Sequence, residues 1–244
     1  MKLYCWSLFF LVLVFVPFRS NANEPVIWGY GHFAPYLYMQ EDGQPRGPYA
    51  DMVNNIFKHA DIEYKAVLAP KRRVRKTIND GSIDFAIGPL TVLDDLNNFY
   101  ISRAIVAKIY LRAYWIGNQE AVTQATDLNG QSVILITSFD YSGLRDHIEN
   151  PINNVTLAVN VEDHRRALSA LLMKRGKYML GYHAPVDLIQ LEMNIQDLNS
   201  YPMIQNEMYL IINKSVKNSR KIMDKLEVSY SAIYSNNING ETDN

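Results

Sequence analysis

The order strand, helix, strand occurs twice along this chain of 244 residues, and that recurrence limits the fold more than any other feature. Val26-Ile27-Trp28-Gly29-Tyr30 is an apolar run of strand length, and Met52, Val53, Ile56, Phe57 and Ala60 follow at the three- and four-residue spacing that gives a helix one apolar face. Ile62 to Leu68 reads as the next strand and Pro70 stops it. A helix from about Arg72 to Asn79 ends at Asp80-Gly81, and Ile83 to Ile87 is a short strand closed by Gly88-Pro89. The second set comprises Val133 to Ile136, a short helix near Ser142 to Ile148, Val155 to Val159, a helix from Glu162 with Leu168, Leu171 and Leu172 on one face, and Tyr178 to Tyr182. Strands and helices in this order build parallel sheets with crossover helices, so the fold class is α/β. The length suits one large domain or two lobes of about 100 residues each.

Between the two sets, Tyr110 to Ile116 is an apolar and aromatic stretch long enough to carry the chain from one body to another. After them the sequence predicts a helix over 187–194, a strand at Met208 to Ile212 and a long closing helix from Val216 to Tyr234. Residues 235–244 are polar and are expected to be a disordered tail.

The first residues carry a different signal. Lys2 is followed by an apolar run from Leu8 to Val16, then Pro17 and Ser20-Asn21-Ala22, the layout of a cleavable secretory signal over residues 1–22. That run is shorter than the roughly 20 apolar residues a membrane span requires, and no later stretch replaces it. The expected location is the periplasm, with no membrane span after cleavage. Cys5 is the only cysteine and leaves with the signal, so the mature chain has to be held by core burial, without disulfides. Without Lys2 and Arg19 the chain keeps 22 of its 24 basic residues against 25 acidic ones, a net charge near −3 that does not attract nucleic acid. The densest basic run, Lys71-Arg72-Arg73 with Arg75 and Lys76, opens an amphipathic helix and reads as its solvated face.

Taken in order, several of these pieces resemble the family 3 extracellular solute-binding proteins, which serve ABC importers of polar amino acids. The resemblance rests on Phe33-Ala34-Pro35-Tyr36 after the first strand, Asp42-Gly43 followed by Gly47-Pro48-Tyr49-Ala50-Asp51, the run from Gly81 to Thr91, Tyr100-Ile101-Ser102, and Asp127-Leu128-Asn129-Gly130-Gln131-Ser132-Val133. It implies a two-lobed periplasmic-binding-protein-like (type II) fold, each lobe a mainly parallel sheet flanked by helices, with a central cleft. The first lobe would hold residues 23–112, the second 113–187, and 188–234 would return to the first. It also implies a monomer that binds a small polar molecule where the strands end, works with a membrane permease or receptor, and needs no cofactor and no metal.

In that family a Thr and then an Arg after the Gly-containing strand meet the ligand carboxylate. Here Thr91 matches, but Leu96 stands near the Arg position. The Asp that receives the ligand ammonium has no counterpart in Leu180-Gly181-Tyr182-His183. An α-amino acid buried without either partner would be unstable there, unless a slip in the alignment brings Arg103 or Arg112 into range. The ligand-binding candidates are Tyr30, Phe33 and Tyr36 on the first loop, Arg73 after Pro70, Thr91, Ser138 and Asp140 at the second-lobe helix start, and Tyr182 with His183. Tyr30 and Phe33 suit core packing equally well, Ser138 and Asp140 suit helix capping, and Arg73 suits the solvent. Tyrosines combine flat apolar area with a hydroxyl and fit a sugar-like, aromatic or cationic ligand.

Catalytic signatures are absent from the sequence. It has no Gly-x-Ser-x-Gly, no His-Glu-x-x-His and no cysteine pair, and Gly29-Tyr30-Gly31 lacks the third glycine of a dinucleotide fingerprint. The chain is therefore expected not to be an enzyme. The readings to separate are an importer's receptor, a ligand-sensing partner of a membrane signalling receptor and, third, an exported enzyme on the same fold such as a cyclohexadienyl-dehydratase-like relative.

Overall fold

A computed structural model describes residues 24–69, 71–137 and 139–234. The expected leader, the expected tail and Ser138 lie outside the described residues. In chain order the elements are β1 (Val26–Tyr30), β2 (Tyr38–Met39), β3 (Pro45–Arg46), α1 (Pro48–Ala60), β4 (Tyr64–Leu68), α2 (Lys71–Asn79), β5 (Phe85–Gly88), β6 (Phe99–Ile101) and β7 (Ala107–Ile116). They continue with β8 (Ser132–Ile136), α3 (Leu144–Glu149), β9 (Thr156–Val161), α4 (His164–Leu172), β10 (Tyr178–Tyr182), α5 (His183–Glu192), β11 (Leu198–Asn213) and α6 (Ser219–Tyr234).

Among the described residues, hydrogen bonds connect nine strands in the order β4-β1-β5-β11-β7-β10-β8-β9, with β6 also on β11. At one end β1 pairs in parallel with β4 and β5, and at the other β8 pairs in parallel with β9 and β10. Between them β7 and β11 form a long antiparallel ribbon, from Leu198 opposite Ile116 to Met208 opposite Ala107. The register shifts between Pro202 and Ile204, where the proline has no N–H to give the ladder.

Two apolar cores form on this frame. Trp28, Val53, Ile56, Phe57, Phe85, Leu210, Ile212 and Leu226 are buried in the first, and Ile78, Ile83 and Ile211 cover the opposite face of the same strands. Adjacent residues Leu210, Ile211 and Ile212 thus serve opposite faces, as the two-residue period of a strand demands. The second core holds Val133 to Ile136, Tyr141, Leu168, Tyr178 to Leu180 and Val186. The ribbon passes from one to the other within a few residues. Ile109 and Met208 pack in the first core, whereas Leu111 and Ile204 belong with the second. Helix α6 returns to the first core through Met223, Leu226 and Tyr230, and Lys225 Nζ donates to the Ala60 carbonyl at the end of α1.

This arrangement is the two-lobed α/β architecture with a central cleft. The lobes are joined by shared hydrogen-bonded strands, so each is parallel only on its outer side, away from the ribbon.

Candidate functional site

Past Tyr30 the chain leaves the sheet in a tight loop that is closed by paired hydrogen bonds between Phe33 and Leu37. The loop sets the rings of Phe33 and Tyr36 side by side, stacked at 5.3 Å, and Tyr36 stacks in turn on Tyr49 at 5.3 Å. The Tyr49 amide donates to the Tyr36 carbonyl, which ties the first turn of α1 to the loop. Gly47 makes this approach feasible. Its φ is 98°, and a Cβ there would stand 2.6 Å from the carbonyl oxygens of Pro35 and Tyr36.

The opposite wall of the cleft belongs to the second lobe. Phe33 meets Tyr182 edge-on at 5.2 Å and Phe139 edge-on at 6.0 Å, and those two rings lie 5.0 Å from each other. Edge-to-face pairs of this kind are favoured by the ring quadrupole and add to the burial of apolar area. Tyr141 and His164 back the second-lobe side, the first stacked on Tyr182 and the second edge-on to it.

Beside this aromatic contact lies a cavity of about 230 Å³. The first lobe contributes Trp28, Gly29, Tyr30, Gly31, Tyr49, Val74, Arg75, Ile87 and Pro89 to its lining; the ribbon adds Ile109, Asn206 and Met208, and the second lobe adds Phe139, Ser142 and Tyr182. Its one described charged residue, Arg75, already donates to the Asp94 carboxylate at 3.0 and 3.3 Å. Burial raises the hydroxyl pKa of Tyr30, Tyr49 and Tyr182 above the ordinary phenol value of 10.0, with a further push on Tyr49 from Tyr36 and on Tyr182 from Asp140. All three therefore stay neutral donors at physiological pH. Trp28 Nε1 and the Tyr49 hydroxyl are buried and have no hydrogen-bond partner among the described residues.

The sequence candidates fall into distinct places. Tyr30, Phe33 and Tyr182 line the cavity, and Tyr36 stands behind Phe33 in the ring stack. Thr91 is exposed in a short turn whose neighbours Pro89 and Val92 reach the cavity in its stead. Arg73 is exposed on α2, and the cavity takes Arg75, two residues on. Asp140 accepts from the Gly143 amide at 3.0 Å before α3, and His183 stands 2.9 Å from the Asp187 carboxylate on α5. Ser138 lies outside the described residues. Arg103 is bound to Glu227, and Arg112 donates to Ser200 at 2.9 Å; neither lines the cavity.

Trp28, Tyr49, Arg75, Phe139 and Asn206 are cavity residues that sequence reasoning passed over. For Tyr49 and Phe139 a signal existed, since Tyr49 sits inside the Gly47–Asp51 run that carries the resemblance and Phe139 lies between Ser138 and Asp140 at the second-lobe helix start. Among the described residues no group of three or more His, Cys, Asp and Glu is placed to hold a metal ion.

Fold and cleft together define the class: a type II periplasmic-binding-protein fold. No protein-family model and no curated protein matches the sequence. Solved structures do match. The sensor domain of a histidine kinase, described as similar to periplasmic binding proteins, superposes with a TM-score of 0.66 at 12% identity over 88% of this chain and 92% of that one. A putative L-cystine ABC transporter protein from Listeria monocytogenes gives 0.64 at 16% identity, covering 87% and 91%. A substrate-binding protein of an ABC uptake transporter from Streptococcus pneumoniae, with bound histidine, gives 0.62 at 17%, covering 87% of each. At these identities the likeness establishes the shared fold.

Proposed function

We propose that this chain is a periplasmic solute-binding protein that captures a small molecule between its lobes and hands it to a membrane importer. The observation that carries this reading is the meeting of Phe33 with Phe139 and Tyr182 across the cleft, beside a cavity of ligand size. Rings from both lobes converge where a ligand would be enclosed, and an enclosed ligand favours the closed form by the contacts it makes to both sides. Transport proteins among the structural neighbours support the import role. The apolar leader supports export, and among the described residues no helix is long and apolar enough to cross a membrane. The binding reading assigns the chain no catalytic step.

A second reading is favoured by the match to a histidine kinase sensor domain, which covers more of this chain than the two transport proteins do. In it the closed form docks on a signalling receptor. Both roles need the same binding event. A thermal-shift screen of amino acids, polyamines, sugars, organic acids and neutral ring compounds tests that event, because a ligand specific to the folded state raises Tm by mass action. Small-angle scattering should then show a smaller radius of gyration with the hit. If no compound raises Tm or compacts the protein, the binding reading fails.

A further inference from the structure

The ion pair between Arg75 and Asp94 at the cavity's edge is a loose one. Its side chains are 58% and 63% exposed, and exposed pairs of this kind contribute little to a fold. Both Arg75 donors, Nε at 3.3 Å and Nη2 at 3.0 Å, meet the same oxygen, Oδ1, so the pair lacks the two-oxygen fork that makes an arginine–carboxylate contact strong. Arg75 borders the cavity, whereas Asp94 is not among its described lining. Nor does Asp94 need the contact to keep its place. Its amide donates to Asn79 Oδ1 at 2.9 Å, and Asn79 Nδ2 donates to the carbonyls of Val92 at 2.9 Å and Arg75 at 2.7 Å. The Asp94 backbone is thus pinned to the end of α2 whatever its carboxylate does.

Resting on the solute-binding reading above, we infer that Arg75 is the ligand's anion receptor and Asp94 its internal competitor: the cavity takes a ring compound with a carboxylate that displaces Asp94 from the guanidinium. Arg75 is the charged residue of the described lining, and that lining contains no acid to repel an anion. The local charge has the same sign. Helix α2 carries Lys71, Arg72, Arg73, Arg75 and Lys76 in its nine positions and no acidic residue, which gathers anions at this edge of a chain whose net charge is −1. Val74, Ile87, Ile109 and Met208, with the rings of Phe33 and Phe139, give the ring an apolar wall. Size agrees: a cavity of about 150 Å³ holds benzene, so one of about 230 Å³ admits a ring with a short side chain. A ligand carboxylate can offer the guanidinium two oxygens where Asp94 offers one, and enclosure between the lobes strengthens that contact relative to the exposed pair.

The test titrates the full chain calorimetrically with phenylacetate, its neutral counterpart 2-phenylacetamide and the cation 2-phenylethylamine. Phenylacetate should bind tightest. Arg75→Gln should weaken it roughly tenfold or more, the loss of a charge-assisted contact, and Arg75→Lys, which keeps the charge and loses the fork, by an intermediate factor. Asp94→Asn should do the reverse, tightening phenylacetate about twofold to fivefold by removing the competing carboxylate, and should lose that effect in the Arg75→Gln background. An ion pair with only a structural role would not strengthen binding when broken. The ligand-free Tm of each variant should stay close to that of wild type, because both side chains are exposed; should Arg75→Gln fail to fold, Asp94→Asn carries the test. Unchanged or weaker phenylacetate binding in Asp94→Asn, wild-type affinity in Arg75→Gln, or the amide or amine binding as tightly as phenylacetate would overturn the inference. If none of the three binds while another compound of the wider screen does, the role of Arg75 falls and the solute-binding reading stands. Silence from every compound in both sets removes the two together.

Discussion

The Ser142 hydroxyl donates to Asn206 Oδ1 across 2.9 Å, joining the turn before α3 in the second lobe to strand β11 at the point where the ribbon enters the first. Both residues line the cavity, so the bond ties the second-lobe wall to the ribbon. Ser142→Ala removes a neutral hydrogen bond worth about 1 kcal/mol. Ligand should leave roughly fivefold faster, with association hardly changed, as stopped-flow fluorescence would record. An unaltered dissociation rate would assign the bond to local structure alone.

Phe33 is the first-lobe partner of two second-lobe rings. Truncation to Ala removes two edge-to-face pairs, each worth about 0.5–1.5 kcal/mol, and hence about 1–3 kcal/mol of closed-state stability. With ligand bound, the radius of gyration in scattering should rise toward an open form, and Phe33→Leu should restore part of the compaction by refilling the gap. Identical scattering curves for wild type and Phe33→Ala would mean that Phe33 does not hold the lobes.

Gly29 sits on β1 at the cavity wall, and a Cβ there would come within 2.0 Å of Ile83 Cδ1 and 2.6 Å of its Cγ1. Ile83 is buried, so it has little room to yield. Gly29→Ala should destabilise the fold by about 1–3 kcal/mol through overpacking. Combined with Ile83→Ala, the two changes should cost less than their sum, because the smaller side chain makes room. Thermal or urea unfolding of the four proteins checks this, and simple additivity would refute the clash.

Glu227 on α6 gives the molecule an acid-sensitive tie. Burial alone would raise its carboxyl pKa, but hydrogen bonds from the Arg103 side chain and amide, with the guanidinium charge, bring it below the ordinary 4.5. A carboxyl whose folded-state value is depressed stabilises the fold fully above its unfolded value and loses that contribution as pH falls through the folded one. Wild type should therefore lose stability faster than Glu227→Gln below about pH 4.5, with a constant gap between them from pH 6 to 8. Urea midpoints at pH 7, 5, 4 and 3 measure it, and parallel curves through the acid range would show that Glu227 is not the group responsible.

Much of the fold could be read from periodicity. Val26 to Tyr30 and Val133 to Ile136 are continuous apolar runs because helices cover both of their faces, and Val53, Ile56, Phe57 and Ala60 mark the buried stripe of α1. The first half of β11 was not legible. Asn199, Ser200, Gln205 and Asn206 carry no strand pattern, and Pro202 reads as a strand end; their extended form is imposed by pairing with β7. Within the site, Tyr30, Phe33 and Tyr182 were accessible to inspection because aromatic side chains next to loops point to a cleft. Arg75 was not, because adjacent positions on a helix differ by about 100° in direction and a run of basic residues does not say which one borders the cavity. Trp28 was hidden for a different reason: a tryptophan in an apolar strand satisfies every expectation of a core residue, and only its unpaired nitrogen sets it apart.

The ribbon of β7 and β11 has a mechanical consequence. Two bodies joined by paired strands cannot swing about a single joint; widening the gap must wind or unwind the ribbon, so the strain is spread as torsion along its length. Its resting angle is set by the twist that backbone chirality imposes on every strand pair, increased locally by the irregularity after Pro202. The backbone thus acts as a torsion spring, and the rings at Phe33 and Tyr182 act as the catch that holds it shut.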